Sequence, residues 1–104
     1  MNIMEGGIYM IINYEGNNFK DIIKEKVLVD FYANWCGPCK MLGPVLENIS
    51  NDIKIVKVDV DKFNELAREY GVMSIPCVIL FDRGNEIKRN VGFMPEVKLK
   101  EFIK

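Results

Sequence analysis

Residues 27–40 carry the stretch VLVDFYANWCGPCK, in which an apolar run leads to two closely spaced cysteines. The run over residues 27–32 is rich in β-branched and aromatic side chains and is apolar on both faces. Such a run is typical of the central strand of a parallel sheet that helices cover on both sides. Gly37 and Pro38 separate Cys36 from Cys39, so the chain turns between them. The stretch therefore predicts two sulfurs at the rim of a sheet.

The flanking sequence alternates strand patterns with helical patterns. Apolar or alternating runs over residues 8–12, 53–60, 77–81 and 86–91 predict further strands, and the last is polar enough to lie near an edge. Apolar residues at helical spacing predict four helices, with these stripes: Phe19, Ile22 and Ile23; Leu42, Val45, Leu46 and Ile49; Phe63, Leu66, Ala67 and Tyr70; and Leu99, Phe102 and Ile103. The order β-α-β-α-β-α-β-β-α predicts an α/β fold with a central mixed five-stranded sheet flanked by four helices. Its parallel core is followed by a C-terminal antiparallel hairpin.

A few residues predict where the helices begin, bend and end. Pro44 lies inside the second helical stripe and should kink that helix, because proline lacks an N–H and clashes with the preceding turn. Asp61 is the expected N-cap of the third helix, and Gly71 has the position of its C′ residue. Pro95 is expected at the first position of the last helix. Residues 82–85 predict the hairpin turn.

Length and charge limit the classes of function. The chain has 104 residues, so we expect one domain over residues 1–104, with residues 1–7 as a short N-terminal extension. Fourteen basic and 15 acidic residues give a net charge of −1. This balance predicts neither nucleic-acid binding nor attachment to a membrane surface. No run reaches the roughly 18 apolar residues that span a bilayer, and the first residues do not resemble a secretory signal.

The chain has three cysteines and no histidine. An odd cysteine count argues against a disulfide-stapled secreted protein and for a reducing compartment, so we expect a cytoplasmic protein. The lack of histidine excludes Ser-His-Asp and Cys-His catalysis and mixed Cys/His zinc sites. A zinc site on the cysteines would need carboxylates or a second chain, and two inert core cysteines are the other alternative. We therefore expect no metal.

Cys36 and Cys39 are the candidate reactive groups. A thiol reacts as its thiolate, and unpaired N–H groups and the helix dipole would stabilise a negative sulfur on Cys36 at the start of a helix. Lys40 adds a nearby positive charge. Cys39 lies one helical turn further on, within reach of Cys36, so the spacing suits a reversible disulfide in a small ring.

The motif WCGPCK after VLVDFYAN, with Ser-Ile-Pro at residues 74–76, resembles the thioredoxin family over residues 8–104. The resemblance implies a thioredoxin fold and a protein-disulfide reductase that carries electrons in cell redox homeostasis. Cys36 would attack a target disulfide and form a transient mixed disulfide, which Cys39 would resolve. An NADPH- or ferredoxin-linked thioredoxin reductase would then reduce the Cys36–Cys39 disulfide again. The resemblance further implies a monomer without a bound cofactor.

Asp30 is a carboxylic acid inside an apolar strand. Burial there is costly unless the group is paired, and it should raise the carboxyl pKa. Lys57, on a neighbouring strand, is the candidate partner. The resemblance implies that Asp30 accepts a proton from Cys39, through water or directly. The alternatives are a surface-facing carboxylate and a structural ion pair.

The resemblance also implies a docking surface around Cys36. Pro76 would follow a cis peptide bond, and the backbone of Ile75 would pair with an extended substrate segment. The implied substrate-binding residues are Trp35, Gly37, Pro38, Met73, Ile75, Pro76 and Gly92, with Phe93 and Met94 as extensions. The alternatives are ordinary core packing for Trp35 and a trans bond before Pro76.

Two positions depart from the family pattern. Tyr32 stands where many members have a second tryptophan, which is a conservative change. Cys77 follows the candidate cis-proline, where threonine is commoner. It is either a small buried apolar residue or a third thiol that can be modified or exchange with the active disulfide. Two other functions are alternatives for the chain: a disulfide isomerase or oxidase of the same fold, and a binding subunit of a larger complex.

Overall fold

The computed structural model describes residues 11–104. The N-terminal extension predicted for residues 1–7 and the first part of the strand predicted over residues 8–12 lie outside the described residues. The secondary structure elements are β1 (Ile11–Asn13), α1 (Phe19–Ile22), β2 (Val27–Tyr32), α2 (Gly37–Ile49), β3 (Lys54–Asp59), α3 (Asn64–Glu69), β4 (Cys77–Asp82), β5 (Asn85–Val91) and α4 (Glu96–Phe102). This order is the predicted one. No helix within residues 11–104 is long and apolar enough to cross a lipid bilayer.

The five strands form one mixed sheet in the order β1-β3-β2-β4-β5. Strands β1, β3 and β2 are parallel, whereas β4 runs antiparallel to β2 and β5 antiparallel to β4. The apolar strand β2 therefore lies in the centre and the polar strand β5 at an edge, as predicted. The register places Asp30 of β2 between Lys57 of β3 and Val78 of β4.

The sheet separates two apolar cores. One core, on the side of α1 and α3, contains Val29 and Phe31 of β2 together with Phe19 and Phe81. The rings of Phe19 and Phe81 meet edge to face, with 5.8 Å between their centroids. The second core, on the side of α2 and α4, contains these buried residues: Leu28, Leu42, Leu46, Ile49, Leu80 and Leu99. Each such side chain stabilises the fold by about 1.5–3 kcal/mol, so both faces of β2 hold it rigidly beneath the following turn.

The predicted starts of α3 and α4 are corrected by the structure. The N-cap of α3 is Phe63, not Asp61. The carboxylate of Asp59 accepts the N–H of Asp61 at 2.9 Å, so the chain makes a separate turn after β3 before the helix begins. The N-cap of α4 is Pro95, whose backbone is still extended (φ −69°, ψ 161°), and the first helical residue is Glu96.

The predicted end of α3 is confirmed. Gly71 has a positive φ of 67° and donates its N–H to Arg68 O, and Val72 donates to Ala67 O. These two bonds form a Schellman motif, which favours glycine at this position because other side chains strain a left-handed backbone. Pro44 lies inside α2, as expected, and the helix continues beyond it to Ile49.

Candidate active site

Cys36 and Cys39 lie at the N-terminal end of α2 and form a disulfide. Cys36 is the N-cap, and its sulfur accepts the backbone N–H of Cys39 at 3.2 Å. The two Cα atoms are 5.2 Å apart. A side chain at an N-cap faces the unpaired N–H groups of the first turn and the positive end of the helix dipole. The position therefore stabilises negative charge on the Cys36 sulfur.

The two cysteines are buried in a small apolar cluster. They pack with Ala33, and half-buried Tyr32, Val60 and Ile75 surround them. The intervening residues Gly37 and Pro38 are exposed. A partner that reaches the sulfurs would therefore contact this exposed turn.

Trp35 precedes the cysteines with 70% of its surface exposed. Its indole N–H donates to the carboxylate of Asp61 at 3.0 Å, which ties the ring to the turn after β3. Core packing is therefore not the role of Trp35. Sequence reasoning missed Asp61 as a site residue because an aspartate ahead of a helical stripe has the ordinary appearance of an N-cap.

The loop before β4 lies against Cys36. The Ile75–Pro76 bond is cis, as expected from the resemblance. The carbonyl oxygen of Ile75 lies 3.9 Å from the Cys36 sulfur, and the carbonyl of Pro76 accepts the N–H of Gly92 at 2.8 Å. This arrangement brings one end of β5, the cis-proline loop and the reactive sulfur together.

The remaining residues expected at the docking surface differ in exposure. Met73 is 94% exposed, Ile75 and Gly92 are half-buried, and Pro76 is buried. Met94 is only 7% exposed and packs in the core beneath α4, so the expectation that it extends the docking surface is wrong. Its neighbour Phe93 is partly exposed.

Asp30 is 1% exposed, and both of its carboxylate oxygens lack a hydrogen-bond partner among residues 11–104. Burial raises its carboxyl pKa from 3.8 to about 7, although the positive charge of Lys57 lowers it in part. An ionised carboxylate is costly in an apolar surrounding, so it holds its proton to a higher pH. The structure therefore excludes a surface-facing carboxylate, and the group is poised to exchange a proton near neutral pH.

Lys57 faces Asp30 in the sheet register but does not form a close ion pair with it among the described residues. The Lys57 ammonium instead lies 4.6 Å from the centroid of the Tyr32 ring, in a cation–π contact. The structural ion pair considered as an alternative is therefore not formed, and Lys57 acts on Asp30 only through its charge at a longer distance. A cavity of about 230 Å³ is lined by these residues: Tyr32, Ala33, Asn34, Cys39, Lys40, Gly43 and Lys57. Polar groups line it and it has room for water.

Cys77 is the first residue of β4 and is fully buried. Burial raises the pKa of its thiol, and the nearby Arg89 guanidinium opposes that shift. Its side chain belongs to the core on the side of α1 and α3, among residues such as Phe31 and Ile79. These observations favour the structural alternative, in which Cys77 is a buried apolar residue, over a reactive third thiol.

Comparisons with known proteins agree with this geometry. A family model described as Thioredoxin matches residues 10–104. A thioredoxin from Mycoplasmoides gallisepticum is 53% identical over 83 residues, which cover 77% of this chain and 83% of that protein. A bifunctional thioredoxin reductase/thioredoxin from Mycobacterium leprae is 51% identical over 80 residues, 71% of this chain and 18% of that protein. The structure of a mutant thioredoxin from Halobacterium salinarum superposes with a TM-score of 0.85 at 37% identity and covers 94% of this chain and 93% of that one.

Proposed function

Because the chain belongs to the thioredoxin family and is a protein-disulfide reductase, we propose that Cys36 and Cys39 are the pair that exchanges electrons with target proteins. The observation that carries this proposal is the N-cap position of Cys36, with the Cys39 N–H directed at its sulfur. A sulfur held in this way is stabilised as a thiolate, which is the nucleophilic form.

The exchange has two steps. The Cys36 thiolate attacks one sulfur of the target disulfide, so a bond forms between Cys36 and that sulfur and the other target sulfur leaves with the electron pair as a thiolate. The Cys39 thiolate then attacks the Cys36 sulfur and releases the second target thiolate. The target gains two electrons, and the Cys36–Cys39 disulfide remains.

Cys39 must lose its proton before the second step, and we assign that proton to Asp30. A carboxyl with a pKa of about 7 is partly ionised at neutral pH and can accept a proton there. The cavity beside Cys39 and Lys57 has room for water, and Lys57 is the register partner of Asp30 on the neighbouring strand, so we propose that the proton travels from Cys39 through water on this side of the sheet. The charge of Lys57 limits how far burial raises the Asp30 pKa.

Target proteins dock on the surface around Cys36. The exposed Trp35, Pro38 and Met73 supply apolar contacts, and the Ile75 backbone supplies hydrogen-bonding groups for an extended segment. Gly37 and Gly92 carry no side chain that would keep a target backbone away, and Pro76 shapes the loop that presents Ile75. Such a shallow apolar surface suits many partners because few of its contacts are directional.

Thioredoxin reductase is the electron donor, since a relative joins a reductase and a thioredoxin in one chain. We propose an NADPH- or ferredoxin-linked reductase and a monomeric, single-domain protein over residues 1–104 that acts in the cytoplasm. The reducing milieu of that compartment keeps Cys36 and Cys39 available as thiols.

The Cys39→Ser variant tests the assignment of roles. Without the resolving thiol, the mixed disulfide between Cys36 and a target should persist, because serine does not attack a disulfide. We expect dithiothreitol-sensitive adducts with insulin that has its native disulfides, and peptide mapping should assign them to Cys36. A Cys39→Ser, Cys77→Ser double variant is the matched control and should trap equally. Absence of adducts, or adducts linked through Cys77, would contradict the mechanism.

A further inference from the structure

Arg89 links the edge strand β5 to the end of α3. Its side chain is 30% exposed. The guanidinium Nη2 donates to the Tyr70 carbonyl at 2.7 Å, and Nη1 lies 3.5 Å from the Gly71 carbonyl. Nε and Nη2 also donate to the two carboxylate oxygens of Glu86 at 2.6 and 2.7 Å. One side chain therefore joins β5 to the end of α3.

These contacts are stronger than those of an ordinary surface ion pair. The pairing with Glu86 is bidentate, and the hydrogen bond from Arg89 lowers the Glu86 pKa. The carbonyls that Arg89 contacts lie at the C-terminal end of α3, where the helix dipole is negative and favours a cation. Glu86 fixes the guanidinium plane, and the guanidinium then holds the helix end.

The loop that starts at these carbonyls carries the docking surface. Residues 71–76, here called the docking loop, include Met73 and Ile75, and the Ile75 carbonyl lies 3.9 Å from the Cys36 sulfur. At its far end the Pro76 carbonyl accepts the N–H of Gly92. The docking loop is thus attached at both ends to β5 or the residue directly after it, by Arg89 at its start and by Gly92 at its finish.

We propose that Arg89, oriented by Glu86, is a positioning residue that holds the docking loop in place for protein substrates. It lies near the buried Cys77 thiol but does not contact the Cys36 and Cys39 sulfurs or the substrate, and it acts through the Tyr70 and Gly71 carbonyls. The proposal rests on the proposed function, because the loop matters only if Cys36 reacts with disulfides of proteins. A small disulfide has no extended segment to pair with the Ile75 backbone, so its reaction does not depend on Arg89.

Two second-order rate constants for the reduced protein test this inference: one with insulin that has its native disulfides and one with hydroxyethyl disulfide. The Arg89→Ala variant should react about five- to tenfold more slowly with insulin, because small displacements of a docking group cost that much or more. Its reaction with hydroxyethyl disulfide should stay within about twofold of the wild type. Urea unfolding of each variant checks that it is folded under the conditions of the rate measurements.

Lys88→Ala is the matched control, because Lys88 is the preceding residue of β5 and contacts the Phe102 ring of α4 instead. It should leave both rate constants unchanged. Arg89→Lys keeps the positive charge but cannot make the bidentate contact with Glu86, so it should reduce insulin faster than Arg89→Ala and more slowly than the wild type. It also provides the test if Arg89→Ala does not fold. Equal losses with both disulfides, or no loss with insulin, would overturn the positioning role. A wild-type protein that reduces neither disulfide would instead refute the proposed function.

Discussion

Replacing Cys36 with serine should abolish the reduction of protein disulfides, with a fall in rate of about 1,000-fold or more. A serine hydroxyl is hardly ionised at neutral pH and is a weak nucleophile, so no mixed disulfide forms. Reduction of insulin with dithiothreitol as donor measures the effect. Cys77→Ser is the matched control and should keep the wild-type rate, because Cys77 is buried in the core.

The same variant separates the catalytic account from a pure binding role. The turn at Gly37 and Pro38 and the exposed Trp35 remain in place, so the docking surface is intact. A binding subunit would keep its function without the thiol. Insulin reduction by the Cys36→Ser protein at more than a few per cent of the wild-type rate would refute the assignment of Cys36 as the attacking thiol.

Replacing Asp30 with asparagine should change how stability depends on pH. The native state holds the Asp30 proton up to about pH 7, whereas the ordinary pKa is 3.8. Protonated Asp30 therefore favours the folded state fully below pH 3.8, and this contribution is lost as the pH rises through about 7. At 1.36 kcal/mol per pH unit, the loss in the wild type is on the order of 4 kcal/mol.

Asparagine does not titrate, so it does not lose this contribution. As the pH rises from about 4 to about 8, the free energy of unfolding of the Asp30→Asn protein should therefore increase relative to that of the wild type by on the order of 4 kcal/mol. Urea unfolding at both pH values measures this difference. The variant should also reduce insulin more slowly near neutral pH, since no carboxylate accepts the Cys39 proton. Asp52→Asn, an exposed position after α2, is the control. A wild-type rate with an unchanged pH dependence would refute the proton-accepting role, whatever happens to stability.

The fold could be predicted largely because the signals for it are local. The apolar strand β2 has no polar face except at Asp30, so it had to be central, and the helical stripe beginning at Leu42 identified α2. Gly71 was expected at the C′ position, where a left-handed backbone favours glycine, and the structure has a φ of 67° there. Helix starts were less predictable, since Asp59 and Asp61 are both good capping residues and only tertiary contacts decide their partners.

The site was predictable where the chain itself brings groups together. Cys36 and Cys39 are three residues apart, so one helical turn sets their distance. Lys57 was correctly placed opposite Asp30, but its contact with the Tyr32 ring depends on side-chain packing that no spacing shows. Arg89 had no signal in the sequence, because its contacts to the end of α3 form only when β5 packs beside that helix.

We propose that Cys36 alone among the three cysteines is the attacking thiol. Alkylation of the reduced, folded protein with limiting iodoacetamide at about pH 7, followed by peptide mapping, tests it most directly. We predict that the first label is on Cys36, that Cys39 follows more slowly, and that Cys77 reacts only after unfolding, because it is buried and its thiol pKa is raised. First labelling of Cys39 or Cys77 would contradict the account.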